Sequence, residues 1–338
     1  MYDASTQGAE MTGTADRSPD LRGPDRHEFA RRTEPFRKEL LAHCYRMLAS
    51  VDEAEDLVQE TYLRAWRSYS TFEGRSSLRV WLYRIATNAC LTALDQRGRR
   101  ALPSGLGDPS DDPAAPAAPT DPGVAWVEPI PDSLVDPAAI VTSRESLRLA
   151  LIAALQYLPP RQRAVLILRE VLAFPATEVA ALLDTTVAAV KSTLQRARAR
   201  LEETAPARSE VTEPTDPQSR ALLAEYIAGF ENADTAALER ALRADAAIEL
   251  VGTSTWFSGR VNCLRLLEQA VGSPGDWRMI PTLANGQPAA AAYFRDATGT
   301  YQPFGLAVLT PSPTGITRIH VFSTPTLVTA FGLPQRLG

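Results

Sequence analysis

LPPRQRAVLILREVLAFPATEVAALLDTTVAAVKSTLQRARARL, from Leu158 to Leu201, decides how the middle of this chain is read. Pro159 and Pro160 end whatever helix precedes them, because proline has no amide hydrogen to donate and crowds the preceding turn. Beyond them apolar residues return at three- and four-residue spacing and predict three helices: Arg161 to Leu172, Pro175 to Leu183, and Val187 to about Glu203. Only Asp184, Thr185 and Thr186 separate the last two, which is the spacing of a helix-turn-helix. The second helix is expected to pack through Val179, Ala180, Leu182 and Leu183, and the third through Val187, Val190 and Leu194. The candidate DNA-contacting set is Thr186, Val187, Ala188, Lys191, Ser192, Gln195, Arg196 and Arg198. Small side chains there allow close approach, and the donors can reach base edges or phosphates in a major groove. An ordinary solvated helix face is the plainer reading. The tight turn weighs against it, as do Arg196, Arg198 and Arg200 at the helix end where cations favour the dipole.

Upstream, Leu147, Leu151, Ala154, Leu155 and Leu158 form one stripe that stops at the prolines. Residues 28–100 read as a helical bundle, with apolar spacing through Leu40, Leu41, Cys44, Tyr45 and Leu48, then Leu57, Val58, Tyr62, Leu63 and Trp66. Asp52 is expected to cap the second of these helices. A third should start near Ser76 or Ser77 and run through Trp81, Leu82, Ile85, Ala86 and Ala89 to Leu94, before the basic cluster Arg97, Arg99 and Arg100. Residues 101–143 change character: prolines recur, periodicity vanishes, and Asp108, Asp111, Asp112, Asp121, Glu128, Asp132 and Asp136 face no Lys or Arg. An acidic Pro/Ala linker is predicted, most simply a solvated tether.

The 338 residues exceed one ordinary domain, and the division expected is 1–27 as a disordered N-terminus, 28–100, the linker, 144–205, a second linker at 206–217, and 218–338. No apolar run has the length of a membrane span, and Met1 to Asp25 lacks the apolar core of a signal peptide, so a cytoplasmic protein without a membrane partner is expected. Cys44, Cys90 and Cys263 lie far apart in apolar stretches and read as reduced core residues. No metal and no cofactor are expected. A net charge of -5 argues against nucleic-acid binding over the whole surface, which leaves local basic faces as the place to look.

The string Leu158 to Leu201 resembles region four of the extracytoplasmic-function (ECF) sigma factors of the sigma-70 family. VDEAEDLVQETYLRAWRSYSTFEGRSSLRVWLYRIATNACLTALDQRGRR, Val51 to Arg100, is similar to region two of the same family. The resemblance implies an alternative sigma factor that joins core RNA polymerase and reads promoter DNA. The set on the last helix would then read the minus-35 element. Asp56, Gln59 and Glu60, on an acidic helix suited to a basic partner, would dock on the clamp helices of the largest polymerase subunit. Arg75, Ser76, Ser77, Arg79, Tyr83, Arg84 and Asn88 would capture the minus-10 element, where unstacked bases need charge, polar groups and rings. Trp81 and Tyr83, two apart, cannot share a helix face, and Trp81 is expected in the core with Tyr83 nearer the DNA. Sigma linkers thread the polymerase cleft, so the acidic linker could mimic nucleic acid there. Two departures from the family pattern are Asp184 where Gly is common, and the residues Thr186 and Ala188. The first is a residue that tolerates a left-handed conformation less well than Gly, and the second leaves the promoter sequence open.

The last 121 residues differ again. Helices Arg220 to Phe230, Thr235 to Leu242 and Arg260 to Ala270 accompany strands Ala247 to Val251, Ala289 to Phe294, Phe304 to Leu309 and Ile316 to Phe322, with turns at Asn285-Gly286 and Thr314-Gly315: an α+β fold. AEYIAGFENADTAALERALRADAAIEL, Ala224 to Leu250, resembles the start of SnoaL-like domains of the NTF2 superfamily, whose helices cover a curved sheet to form a cone. The fold class expected is therefore two all-α sigma domains, a helical bundle and a helix-turn-helix, followed by an α+β NTF2-like cone. Some relatives of that cone are isomerases that use a buried Asp or His. Here His320 sits alone in an alternating run, and Asp245 and Glu249 have no partner that sequence can place. A noncatalytic module acting in cis is expected, with an anti-sigma factor or a small ligand as its conceivable partner. The competing reading is an NTF2-like ligand-binding or isomerase-type domain fused to a helix-turn-helix regulator. The acidic docking helix and the melting segment favour the sigma reading, because a simple regulator needs neither.

Overall fold

The computed structural model describes residues 26–74, 76–135, 144–204 and 217–338. The disordered N-terminus expected at 1–27, the minus-10 candidate Arg75, Asp136 with the end of the first linker, and most of the second linker fall wholly or largely outside the described residues.

Four helices build the first unit: α1 (Arg26–Thr33), α2 (Arg37–Leu48), α3 (Val51–Ser68) and α4 (Leu78–Leu94). The cap of α3 is Ser50, whose hydroxyl accepts from the Glu53 amide at 3.4 Å; Asp52, expected to cap it, lies in the first turn beside Glu53. Ser77 caps α4 by accepting from the Val80 amide at 3.2 Å. The second unit contains α5 (Leu149–Leu155), α6 (Pro160–Leu166) with a π-turn at Ile167–Val171, α7 (Ala176–Leu182) and α8 (Val187–Thr204). The two units are not beads on a string. One apolar core runs through both, joining Leu40, Cys44, Tyr83 and Cys90 to Leu155, Ile167, Phe174 and Val190.

The segment 101–135 is not a solvated tether. Its first residues form β1 (Arg100–Ala101), paired in parallel with β2 (Ala125–Trp126), and Leu102, Val127, Ile130 and Val135 enter the shared core. Between these anchors the chain lies along the C-terminal module, where the Ser110 amide donates to Trp256 O at 2.8 Å, Trp256 Nε1 to Gly107 O at 2.9 Å, and the Ala118 amide to Thr255 Oγ1 at 2.7 Å. A Pro/Ala-rich segment cannot fold alone, but these surfaces supply the apolar cover and backbone partners it lacks.

The C-terminal module opens with α9 (Pro217–Glu231) and α10 (Thr235–Ala241), followed by β3 (Leu242–Val251), β4 (Trp256–Ser258), α11 (Arg260–Ala270), β5 (Trp277–Ala284), β6 (Gln287–Arg295), β7 (Tyr301–Ser312), β8 (Gly315–Phe322) and α12 (Pro325–Ala330). The six strands run in the order β4-β3-β8-β7-β6-β5, all neighbours antiparallel except the β3-β8 pair. A plain meander would have no parallel pair. Here the chain returns β8 beside the first long strand, as in an NTF2-like cone. Successive side chains of β6 point to opposite faces. Ala290 and Ala292 pack with Leu223, Tyr226, Phe230 and Trp277 against the helices, while Ala289, Ala291 and Tyr293 join the core shared with the helical units. Both faces are therefore buried, and the helical units occupy the outer one.

Candidate nucleic-acid interface

In the helix-turn-helix, Val179, Ala180, Leu182, Leu183 and Val190 are buried as expected, and Val187 and Leu194 half-buried. The turn is closed by Asp184 in the left-handed region, φ 51°, and Thr186 Oγ1 accepts from the Ala189 amide at 3.1 Å to start α8. Thr186, Ala188, Lys191, Ser192, Gln195, Arg196 and Arg198 are all exposed. Arg198 is held by another element, its Nε donating to Glu170 Oε1 on the π-turn at 2.8 Å, while Arg196 donates to Thr193 Oγ1 of its own helix at 3.3 Å; Lys191, Gln195 and Arg196 are the reaching donors of the outer face.

Along α3, Asp56 and Gln59 are exposed and Glu60 is half-buried, tied to Arg64 at 2.6 Å. Leu63 is 51% exposed on the same helix, an apolar residue amid the acidic surface. Glu53 instead turns toward the basic cluster, pairing with Arg97 and, at 3.0 Å, with Arg100. Arg100 also holds Glu128 of the linker at 3.1 Å, and Glu128 Oε2 accepts from the Val51 amide at 2.9 Å, adding a carboxylate to the N-terminus of α3.

On α4 the aromatic assignment is reversed. Tyr83 is fully buried, with ring centroids 5.2 Å from His43 and 5.1 Å from Phe174. Trp81 is only half-buried, stacked on Phe72 at 4.8 Å. Two residues apart, one ring had to face inward, and the inward face of α4 is the one that meets α2 and the second helical unit. Arg79 follows Tyr83 inward: it pairs with Glu39 at 2.9 Å, and its guanidinium lies 4.7 Å over the Phe174 ring. Ser76, Ser77, Arg84 and Asn88 remain exposed.

Buried cations line the contact between the helical units. Arg163 of α6 donates to Met47 O at the end of α2, to Gln156 Oε1 at 2.8 Å, and to Gln156 O and Leu158 O at 3.1 and 3.2 Å. The guanidinium thus caps the last carbonyls of α2 and of α5 at once. Arg46 donates to Ser146 Oγ at 3.1 Å. Burial lowers both groups to about 10, so they stay charged near neutrality, whereas burial with Arg46 and Arg79 nearby lowers His43 to about 3 and keeps it neutral.

In the C-terminal module the parallel register places Glu249 beside His320. Neither segment alone signals this, since the residues lie 71 apart on strands whose pairing is not local. Glu249 is fully buried; its Oε1 accepts from Arg318 and lies 3.5 Å from His320 Nε2, and its Oε2 accepts from the Ser104 amide of the linker at 2.9 Å. Asp245 is exposed and paired with Arg243. The Glu249 cluster lies on the outer face of the sheet, under the linker. Cys44, Cys90 and Cys263 are all buried free thiols. Among the described residues no helix is long and apolar enough to cross a membrane, and no group of three or more His, Cys, Asp or Glu could hold a metal ion.

Comparison with known proteins accounts for this arrangement. Residues 33–100 match the family model Sigma-70 region 2, and 148–201 match Sigma-70, region 4. The ECF RNA polymerase sigma factor SigG of Mycobacterium tuberculosis (strain CDC 1551 / Oshkosh) is 49% identical over 318 residues, covering 92% of this chain and 85% of the relative. The ECF RNA polymerase sigma factor SigW of Bacillus subtilis (strain 168) is 36% identical over 73 residues, 22% of this chain and 39% of the relative. The crystal structure of Mycobacterium tuberculosis SigJ, an extracytoplasmic-function sigma factor, superposes with a TM-score of 0.58 at 22% identity over 89% of this chain and 98% of that one, so the fold extends through the C-terminal module. With both sigma regions in order and a relative of this identity along nearly its whole length, the chain belongs to the extracytoplasmic-function sigma factors, alternative sigma factors that bind core RNA polymerase and direct it to promoters.

Proposed function

We propose that the arrangement described is the closed, resting form of this sigma factor, and that its C-terminal module regulates initiation in cis by favouring that form. The observation that carries the reading is the packing of region four on region two, with Phe174 against Tyr83 and Arg79 on the helix assigned to the minus-10 element. Elements at minus-35 and minus-10 lie about two helical turns apart or more, roughly 70 Å along the duplex. Regions in direct contact cannot occupy both, so they must part on the polymerase.

In the open form Lys191, Gln195 and Arg196, with Thr186, Val187, Ala188, Ser192 and Arg198, read the minus-35 element. Ser76, Ser77, Arg79, Arg84 and Asn88, together with Arg75, take the minus-10 element, and Tyr83 joins them only after Phe174 withdraws. Asp56, Gln59 and Glu60 meet the clamp helices, with Leu63 as an apolar anchor beside them. The site of action is the cytoplasm. The C-terminal module acts without catalysis: its Glu249–His320 pair has the residue types of an acid/base couple, but it faces the linker and is closed by the Ser104 amide. The exposed aspartates Asp108, Asp111, Asp112 and Asp121 remain available to the polymerase cleft once the linker is released.

The test is in vitro transcription with purified core polymerase on a promoter library, comparing the full chain with one truncated after Ala205. Higher activity of the truncated chain at the same start sites is expected. Equal activity would remove the regulatory role, and no specific start sites from either would remove the residue assignments for the promoter.

A further inference from the structure

Asn285 and Gly286 join β5 to β6 with φ of 57° and 67°. Positive φ at both central residues is a type I′ turn, and Asn-Gly satisfies that geometry without help from any other part of the chain. At the tip of an ordinary hairpin the asparagine side chain would face water. Here it is completely buried, and its amide hydrogen-bonds outside its own domain. Oδ1 accepts from the Ile130 amide of the linker at 3.0 Å, while the Asn285 backbone amide donates to Ile130 O at 2.9 Å. Nδ2 uses one hydrogen on Tyr45 Oη of α2, at 2.7 Å, and the other on Leu147 O, just ahead of α5, at 2.8 Å. The flanking residues repeat the pattern: the Gly286 amide donates to Asp132 Oδ1 at 2.8 Å, and Gln287 Oε1 accepts from the Leu149 amide at 3.0 Å.

We infer that Asn285 is the fastener of the closed form: the two hydrogens of its single amide nitrogen join region two to region four, and separating the regions requires this fork to break. The inference rests on the reading that the closed form is the resting state, and it locates control of that state in one side chain. Chemistry supports the location. An asparagine has two side-chain donors and one carbonyl, and here both donors and the carbonyl are engaged, in a site closed to water. A buried polar group fully satisfied in one arrangement, and stripped of partners in any other that stays dry, makes that arrangement discrete and cooperative. Tyr45 extends the network, since its hydroxyl accepts from Asn285 and donates to Glu128 O at 2.6 Å. The C-terminal module therefore senses the spacing of regions two and four through one hairpin tip, while elsewhere its outer face offers apolar cover and, at Glu249, a partner for the linker.

The test uses the full chain. Asn285→Gly keeps the turn, because glycine adopts both φ values freely, and removes the fork together with the Oδ1 acceptor for the Ile130 amide. Asn285→Asp keeps the carbonyl-like acceptor for Ile130 and the turn, but sets a carboxylate against Leu147 O. Tyr45→Phe removes the acceptor on region two without touching the hairpin. Spin labels at Arg67→Cys on α3 and Ala199→Cys on α8, both exposed positions, report the distance between regions; the native cysteines are buried and unreactive by comparison. Each variant is expected to shift the distance distribution outward, by roughly ten-fold in the ratio of open to closed for each hydrogen bond lost. Each should also lower the sigma concentration that half-saturates core polymerase in run-off transcription. Unchanged distances in all three variants overturn the inference. If truncation after Ala205 opens the chain while the three variants do not, the closed-state reading stands and the fastener lies elsewhere. If truncation also has no effect, the reading itself fails.

Discussion

Replacing Glu249 by glutamine isolates the charge that ties the linker to the sheet. Burial alone would raise the Glu249 carboxyl, but His320, Arg318 and the Ser104 amide together outweigh it and hold the group at about 2, below its ordinary 4.5. A carboxyl depressed in the folded state stabilises the fold fully above its unfolded value and loses that contribution as pH falls from 4.5 toward 2. The gap between those two values, at about 1.4 kcal/mol per pH unit, corresponds to about 3 kcal/mol at neutral pH. The amide that replaces the carboxylate would retain its shape and one oxygen for Ser104 or Arg318, but not the charge that the Arg318 guanidinium faces. Glu249→Gln is therefore expected to unfold about 2 to 3 kcal/mol more easily at about pH 7 in urea, followed by fluorescence of Trp256 and Trp277 on β4 and β5. The difference between wild type and variant should shrink steadily from about pH 5 to about pH 2.5. A difference that stays constant over that range, or a variant as stable as wild type at neutral pH, would falsify the electrostatic account.

Phe174→Ala removes a buried ring from the contact between regions, at a cost typical of about 3 kcal/mol for such a truncation, and should raise binding of a fork-junction minus-10 DNA by the free chain in an anisotropy titration. No gain in binding would mean that the Phe174 contact does not mask α4. Lys191→Ala and Arg196→Ala, made singly in the full chain, should weaken binding to a minus-35 duplex; a residue that touches only phosphate will lower the salt slope by about one and act on all sequences alike, while a base-reading residue will relax specificity at one position. Asp184→Gly should raise the melting temperature slightly, by relief of about 0.5 to 1 kcal/mol of left-handed strain, and a fall in stability would show that the Asp184 side chain supports the turn.

What could be read from the sequence was local. The helix-turn-helix and the region-two helices announce themselves through spacing within a dozen residues, and the two prolines at 159 and 160 mark a boundary by their own chemistry. The reversed roles of Trp81 and Tyr83 were not legible, because a helix with apolar residues around most of its surface does not say which face meets another domain. Strand β5 escaped because Pro281 argues against an interior strand; it is tolerated because β5 is the edge of the sheet. The linker was misjudged for a different reason. Leu102, Val127, Ile130 and Val135 are too sparse to form a core of their own, and composition cannot reveal that cores elsewhere have room for them. The Glu249–His320–Arg318 cluster needed the parallel β3-β8 register, which joins segments far apart in the chain and leaves no mark on either alone.

The chemistry of the contact between regions two and four suits a state that must be left. A permanent interface is best made of apolar groups, since a buried cation costs several kcal/mol to desolvate and regains it only with close partners. Here Arg46 and Arg163 are both buried without a carboxylate among the described residues, and they rely on neutral acceptors: a serine hydroxyl, a glutamine side chain, and the terminal carbonyls of α2 and α5. When the regions part, Arg46 loses Ser146 and Arg163 loses Met47 O while keeping Gln156 and Leu158, and hydration of the donors so freed offsets part of the cost of uncovering Phe174, Tyr83 and the apolar residues around them. Carbonyls at helix ends are also readily rehydrated, since water commonly satisfies them. The closed form can therefore be specific in geometry, through the Asn285 fork and the Arg163 cap, while its free-energy difference from the open form stays small enough for polymerase binding to reverse it.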